Sequence, residues 1–154
     1  MAVTFPQAGG CLCGDVRYAV LEDPLFAYAC HCTDCQTASG SNFALCLTTV
    51  FATIEISRGT PTRQTISFQD GREWNFAACG RCSTRLWSER KATPQIVSIR
   101  AGTLDDARWV YPVAHIWADS ALAWSPIAED AIVFAREPGD PTDMIRAWRG
   151  RTAR

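Results

Sequence analysis

Apolar and polar positions alternate along much of the chain. Asp15–Leu21 sets Val16, Tyr18 and Val20 against Asp15, Arg17 and Ala19, the period of two expected of a half-buried strand. Leu25–Cys30 is a short apolar run, and Phe43–Val50 and Thr53–Ser57 read as strands. Gly59-Thr60-Pro61 breaks the pattern. Arg63–Phe68 and Arg72–Ala78 predict a hairpin around Asp70-Gly71, and Thr84–Ser88, Ile96–Arg100, Val113–Trp117 and Ile132–Ala135 are further strands. Helical signals are short. Thr33 caps a turn through Ala38 that Ser39-Gly40 closes, and Thr142 caps a helix carrying Met144, Ile145 and Trp148 that stops at Gly150. The pattern predicts a mainly β fold with few short helices.

Length and composition narrow this further. The chain has 154 residues, about one domain. Glu137–Pro141 looks like a linker, dividing a body of residues 1–138 from a basic tail of residues 139–154. The tail's Arg146, Arg149, Arg151 and Arg154 read as a solvated terminus. At 47% hydrophobic and 10% aromatic the sequence excludes disorder. Fifteen Lys+Arg against 16 Asp+Glu leave a formal charge of −1, which argues against binding nucleic acid by charge alone. The apolar runs fall far short of the roughly 18 residues that span a bilayer. The opening MAVTFPQAGG has neither a basic nor an apolar leader region, so no membrane partner and a cytoplasmic location are expected.

Eight cysteines change the picture. Cys11 and Cys13 form a C-x-C pair, which on a strand puts both sulfurs on one face. Cys79-Gly80-Arg81-Cys82 is a C-x-x-C knuckle, and the two pairs supply the four sulfurs of a closed structural zinc site. Cys30, Cys32 and Cys35 supply three sulfurs within six residues, leaving a zinc ion an open fourth position, as in a catalytic site. Disulfides, a redox C-x-x-C and two purely structural zincs compete with this reading. Cys46 lies in an apolar run and reads as a small buried hydrophobe; His31 points away from the metal its neighbours would bind. Arg17, Arg72, Arg81, Arg85 and Arg100 are candidate anion contacts. Trp117 and Trp124 read as core before pocket, and His115 fits either place.

Gly9-Gly10-Cys11-Leu12-Cys13-Gly14-Asp15, Cys30-His31-Cys32-Thr33-Asp34-Cys35, Cys79-Gly80-Arg81-Cys82 and Gly102-Thr103-Leu104-Asp105-Asp106 with Pro112 and His115 resemble the glutathione-dependent formaldehyde-activating enzyme family, whose domain is shared with centromere protein V. The resemblance runs from about residue 5 to 138. It implies Mss4-like, zinc-stabilised antiparallel sheets. It also implies two zincs per chain, one structural on Cys11, Cys13, Cys79 and Cys82 and one linked to substrate on Cys30, Cys32 and Cys35. The implied activity is a carbon–sulfur lyase that joins formaldehyde, or a related small carbonyl, to glutathione. A zinc domain acting on another small molecule, and a binding module like centromere protein V, are the alternatives. The family's Gly after the knuckle is here Ser83, whose backbone N–H is still expected to reach a thiolate. Seven thiolates on two Zn²⁺ would move the formal charge from −1 to −4 and sharpen the need for local arginines.

Overall fold

The computed structural model describes residues 3–68 and 71–151; Asp70 of the expected turn and Arg154 of the tail lie outside them. The chain forms β1 (Gln7–Gly10), β2 (Arg17–Val20), β3 (Phe26–Cys30), α1 (Thr33–Ser39), β4 (Ala44–Val50), β5 (Ile54–Arg58), β6 (Thr62–Ser67) and β7 (Glu73–Ala78). It continues through β8 (Arg85–Arg90), β9 (Ile96–Arg100), β10 (Ala114–Ile116), β11 (Ile132–Val133) and α2 (Thr142–Arg149). The fold is mainly β, as the alternation predicts.

Two sheets pack face to face: a three-stranded one in the order β1-β2-β5 and an eight-stranded one in the order β11-β10-β3-β4-β9-β8-β7-β6. Between them lie Val16 (just before β2), Tyr18 and Val20 of the small sheet and Leu47, Trp87, Val97 and Ile99 of the large one, all 2% exposed or less. Tyr18 meets Trp87 edge to face at 5.8 Å, the arrangement ring quadrupoles favour. The antiparallel expectation fails at one edge, where β10 runs parallel to both β3 and β11. The connections into and out of β10 are long enough for this, whereas a tight hairpin would force the opposite sense.

Strand β1 escapes the alternation because its sequence, Gln7-Ala8-Gly9-Gly10, carries almost no side chains. Gly9 is required there: a Cβ would lie 2.7 Å from both the Tyr18 ring and the Thr103 carbonyl. Both helices start differently from expectation. Cys32, not Thr33, caps α1, its Sγ accepting from the Cys35 N–H, and Gly40 closes the helix in the left-handed region. Asp140 Oδ1 accepts the Thr142 N–H at 2.9 Å, displacing Thr142 from the capping role in α2. Nor does α2 belong to a loose terminus. It buries Met144 and Trp148 in the core cluster, and Arg151 pairs with Asp23 at 2.7 Å.

Candidate metal centres and pocket

The first cluster joins two turns that are distant in sequence. Cys11 and Cys13 follow β1, Cys79 and Cys82 follow β7, and the four Sγ atoms lie within 4.8 Å of one another. Cys11–Cys13 and Cys13–Cys79 are 3.6 and 3.7 Å apart, and all eight cysteines are free. A disulfide needs about 2.05 Å. A tetrahedron with Zn–S of about 2.3 Å has edges of about 3.8 Å, so the spacing fits a shared ion. Backbone amides already point at the sulfurs, Val16 N–H to Cys11 at 3.2 Å and Arg81 N–H to Cys79 at 3.4 Å. Ser83 behaves differently from expectation: its N–H goes to the Cys79 carbonyl at 2.9 Å, not to a thiolate. Its φ of 60° explains why glycine suits that position.

The second cluster is built by one corner of chain. Cys30 ends β3, Cys32 caps α1 and Cys35 occupies its first turn; their sulfurs also lie within 4.8 Å, with Cys30–Cys32 at 3.5 Å. Charge shows what each set lacks. Hydrogen bonds from Cys30 and Cys32 push the Cys35 thiol down to about 4 against burial, while hydrogen bonding with Cys32 and Cys35, then burial, pushes Cys30 up. In the first cluster Thr84 leads in lowering Cys82 to about 5. The Asp15 amide favours the Cys13 thiolate, but burial and the neighbouring sulfurs outweigh it and raise Cys13 to about 12. Crowded sulfurs cannot all ionise unaided, and a divalent cation is what makes full ionisation favourable. Both clusters can therefore hold metal ions and are compatible with zinc.

Strand register lays a pocket floor beside Cys30. Tyr28 pairs with Cys46 and Cys46 with Arg100, so these three form one cross-strand row on the face away from the small sheet. The pocket encloses about 630 Å³ of empty space, including its open mouth, and Cys30, Cys32 and Cys35 all line it. Phe76, Trp74 and Ser88 extend the floor through β7 and β8. A register shift between Ala77 and Ala78 re-aims Arg85: it lines the pocket with Ser88, although Trp87 faces the small sheet. Arg85 lies 4.0 Å over the Phe76 ring.

Arg100 Nη1 donates to Cys46 Sγ at 3.1 Å. Burial works against its charge, but the sulfurs of Cys46 and Cys35 outweigh it and hold its pKa above the ordinary value. Cys46 is thus buried but not merely a hydrophobe: it is a pocket wall bonded to a cation. Among the described residues neither Arg85 nor Arg100 meets a carboxylate, whereas Arg17 and Arg81 are spent on Asp105 and Asp15. That difference arises from the bulge and the register, so no local sequence signal separates the four arginines.

The remaining candidates divide. His31 and His115 are buried behind the three-cysteine corner and share a 2.8 Å hydrogen bond, Nε2 to Nδ1. Neither lines the pocket, and burial lowers both pKa values. Trp117 is a pocket wall, held at φ 57°. Trp124, far from being core, is 71% exposed. No helix of the described residues is long and apolar enough to cross a membrane.

A sequence model described as "Glutathione-dependent formaldehyde-activating enzyme" matches residues 6–120, a span containing all seven clustered cysteines. No curated protein matches the chain. Among solved structures, a crystal structure of a Rhodobacter sphaeroides protein superposes with a TM-score of 0.51 at 16% identity, covering 82% of this chain and 98% of the other. That likeness concerns the fold.

Proposed function

Since the chain belongs to the glutathione-dependent formaldehyde-activating enzyme family, we propose that it is a carbon–sulfur lyase joining formaldehyde, or a related small carbonyl, to the thiol of glutathione. One observation carries the reading: three sulfurs able to share a metal line the same pocket as the Arg85 and Arg100 guanidiniums, which meet no carboxylate among the described residues. In this reading Cys11, Cys13, Cys79 and Cys82 hold a structural zinc, and Cys30, Cys32 and Cys35 hold a second one. Held by Cys30, Cys32 and Cys35, the second zinc would supply acidification of an incoming thiol near neutral pH.

The chain's own groups do the rest. Arg85 and Arg100 take a carboxylate of glutathione, and Arg100 offsets the negative charge that gathers at Cys35. Phe76, Trp74 and Trp117 give the thiol's methylene and the small carbonyl an apolar wall that limits water. Sulfur attacks the carbonyl carbon, a C–S bond forms, and the carbonyl π electrons move to oxygen. That oxygen takes up the proton the thiol released, so thiol and carbonyl sum to the hydroxymethyl thioether with no further reactant.

Exchange spectroscopy by NMR tests this directly. With zinc-loaded protein, exchange between free formaldehyde and its glutathione adduct is expected to exceed the buffer rate, and Cys32→Ser should abolish the excess. Buffer-rate exchange with a protein shown to hold two zincs would remove the proposed reaction.

A further inference from the structure

Glu137 occupies the place a ligand's carboxylate would take. It lies between β11 and α2, outside the matched residues 6–120. Its Oε2 accepts from Arg72 Nη1 at 3.1 Å, and its Oε1 accepts from Arg90 Nη2. Two arginines gripping one carboxylate make a geometry suited to recognising carboxylated ligands.

The carboxylate also stands on a partition. Beside the three-cysteine pocket is a second, open cavity, with about 1070 Å³ of empty space including its mouth, whose walls include Phe26, Ile96, Pro141 and Met144. Tyr28, Trp74, Ile116 and Glu137 line both. The guanidiniums have other supports that would hold them if Glu137 left. Arg72 lies 5.5 Å over Trp117 and 5.9 Å over Phe68, and Arg90 lies 5.4 Å over Trp74. Glu137 is itself 28% exposed and is followed by Pro138-Gly139, a short surface segment.

We propose that Arg72, which lines the three-cysteine pocket, and Arg90, which lines the second cavity, form a carboxylate subsite where the two meet, and that Glu137 is its internal, displaceable occupant in the free protein. The proposal rests on the reading that the pocket takes a carboxylated thiol. Partly exposed ion pairs are individually weak, so a ligand already anchored by its sulfur and by Arg85 and Arg100 can compete for the pair. The tethered Glu137 opposes it at an effective concentration of roughly millimolar. Its departure opens the partition on the Glu137 side, beside Tyr28, Trp74 and Ile116, and gives the remote end of the ligand access to the second cavity.

Calorimetric titration with S-methylglutathione tests the subsite, because this probe keeps both carboxylates and offers no free thiol. Removing a tethered competitor is expected to tighten binding by Glu137→Gln roughly tenfold over the unsubstituted protein. Glu137→Ala should act in the same direction, and adding Arg90→Gln should cancel the gain. Unsubstituted protein that binds the probe while Glu137→Gln binds it equally or more weakly overturns the subsite and leaves the proposed reaction standing. Failure of both proteins to bind S-methylglutathione and glutathione alike overturns both.

Discussion

Replacing Cys79 should cost far more stability than replacing Cys32, because the two clusters close loops of very different length. The Cys13–Cys79 contact spans 66 residues, for which the chain-entropy relation gives about 4 kcal/mol of stabilisation on cross-linking. Cys30 and Cys35 are only five positions apart, and the same relation gives about 2 kcal/mol, part of which α1 supplies without metal. Serine is the apt replacement for Cys32, since its hydroxyl can still accept the Cys35 N–H and cap α1. For a chain of this size, each kcal/mol moves the melting temperature by about 2–4 °C. Cys79→Ser is thus expected to melt about 10 °C lower. Cys32→Ser should fall by less than about half that amount. The assay is thermal unfolding by circular dichroism with metal content measured on the same samples. Zinc should fall by about one equivalent in each variant, on the closed-site and open-site reading of the two clusters. Equal losses of melting temperature would refute the division into a structural and a working cluster.

Other consequences are as direct. Burial raises the Tyr18 pKa to about 12, against the favourable bond to Thr103. Only the unfolded chain ionises this group between the ordinary value of 10.0 and about 12, so stability should be intact below pH 10 and fall as pH rises through that window. The loss amounts to about 3 kcal/mol, and alkaline denaturation of Tyr18→Phe should lack this component. Arg85→Gln should keep its fold and both metals while binding glutathione roughly ten times more weakly by calorimetry, the worth of one charge-assisted hydrogen bond. Unchanged affinity would take Arg85 out of the ligand site. Trp148 is fully buried, so Trp148→Ala should destabilise the protein by about 3–5 kcal/mol in urea unfolding if α2 is integral to the core. A change within about 0.5 kcal/mol would make the helix an appendage.

Most strands were legible because burial on one face of a sheet forces a period of two, and Asp15–Leu21 carries that period openly. The two cysteine clusters were legible for a related reason: metal ligation demands particular spacings within a turn, and C-x-C, C-x-x-C and C-x-C-x-x-C record them locally. Local sequence could not reveal β1, whose glycines have no side chains to alternate, or the parallel pairing of β10, which depends on where a long connection returns. It also could not rank the arginines. Arg17, Arg81, Arg85 and Arg100 look alike along the chain, yet register and one bulge send the last two into the pocket, where neither is paired with a carboxylate among the described residues, and leave the first two paired at the surface. Glu137 reads as part of a linker and becomes a clasp between two cavities. Metal ligands within a turn are held at distances set by a few backbone bonds, which a string of residues can encode. The charge balance of a pocket depends on which distant strands become neighbours, and that emerges only when the sheets assemble.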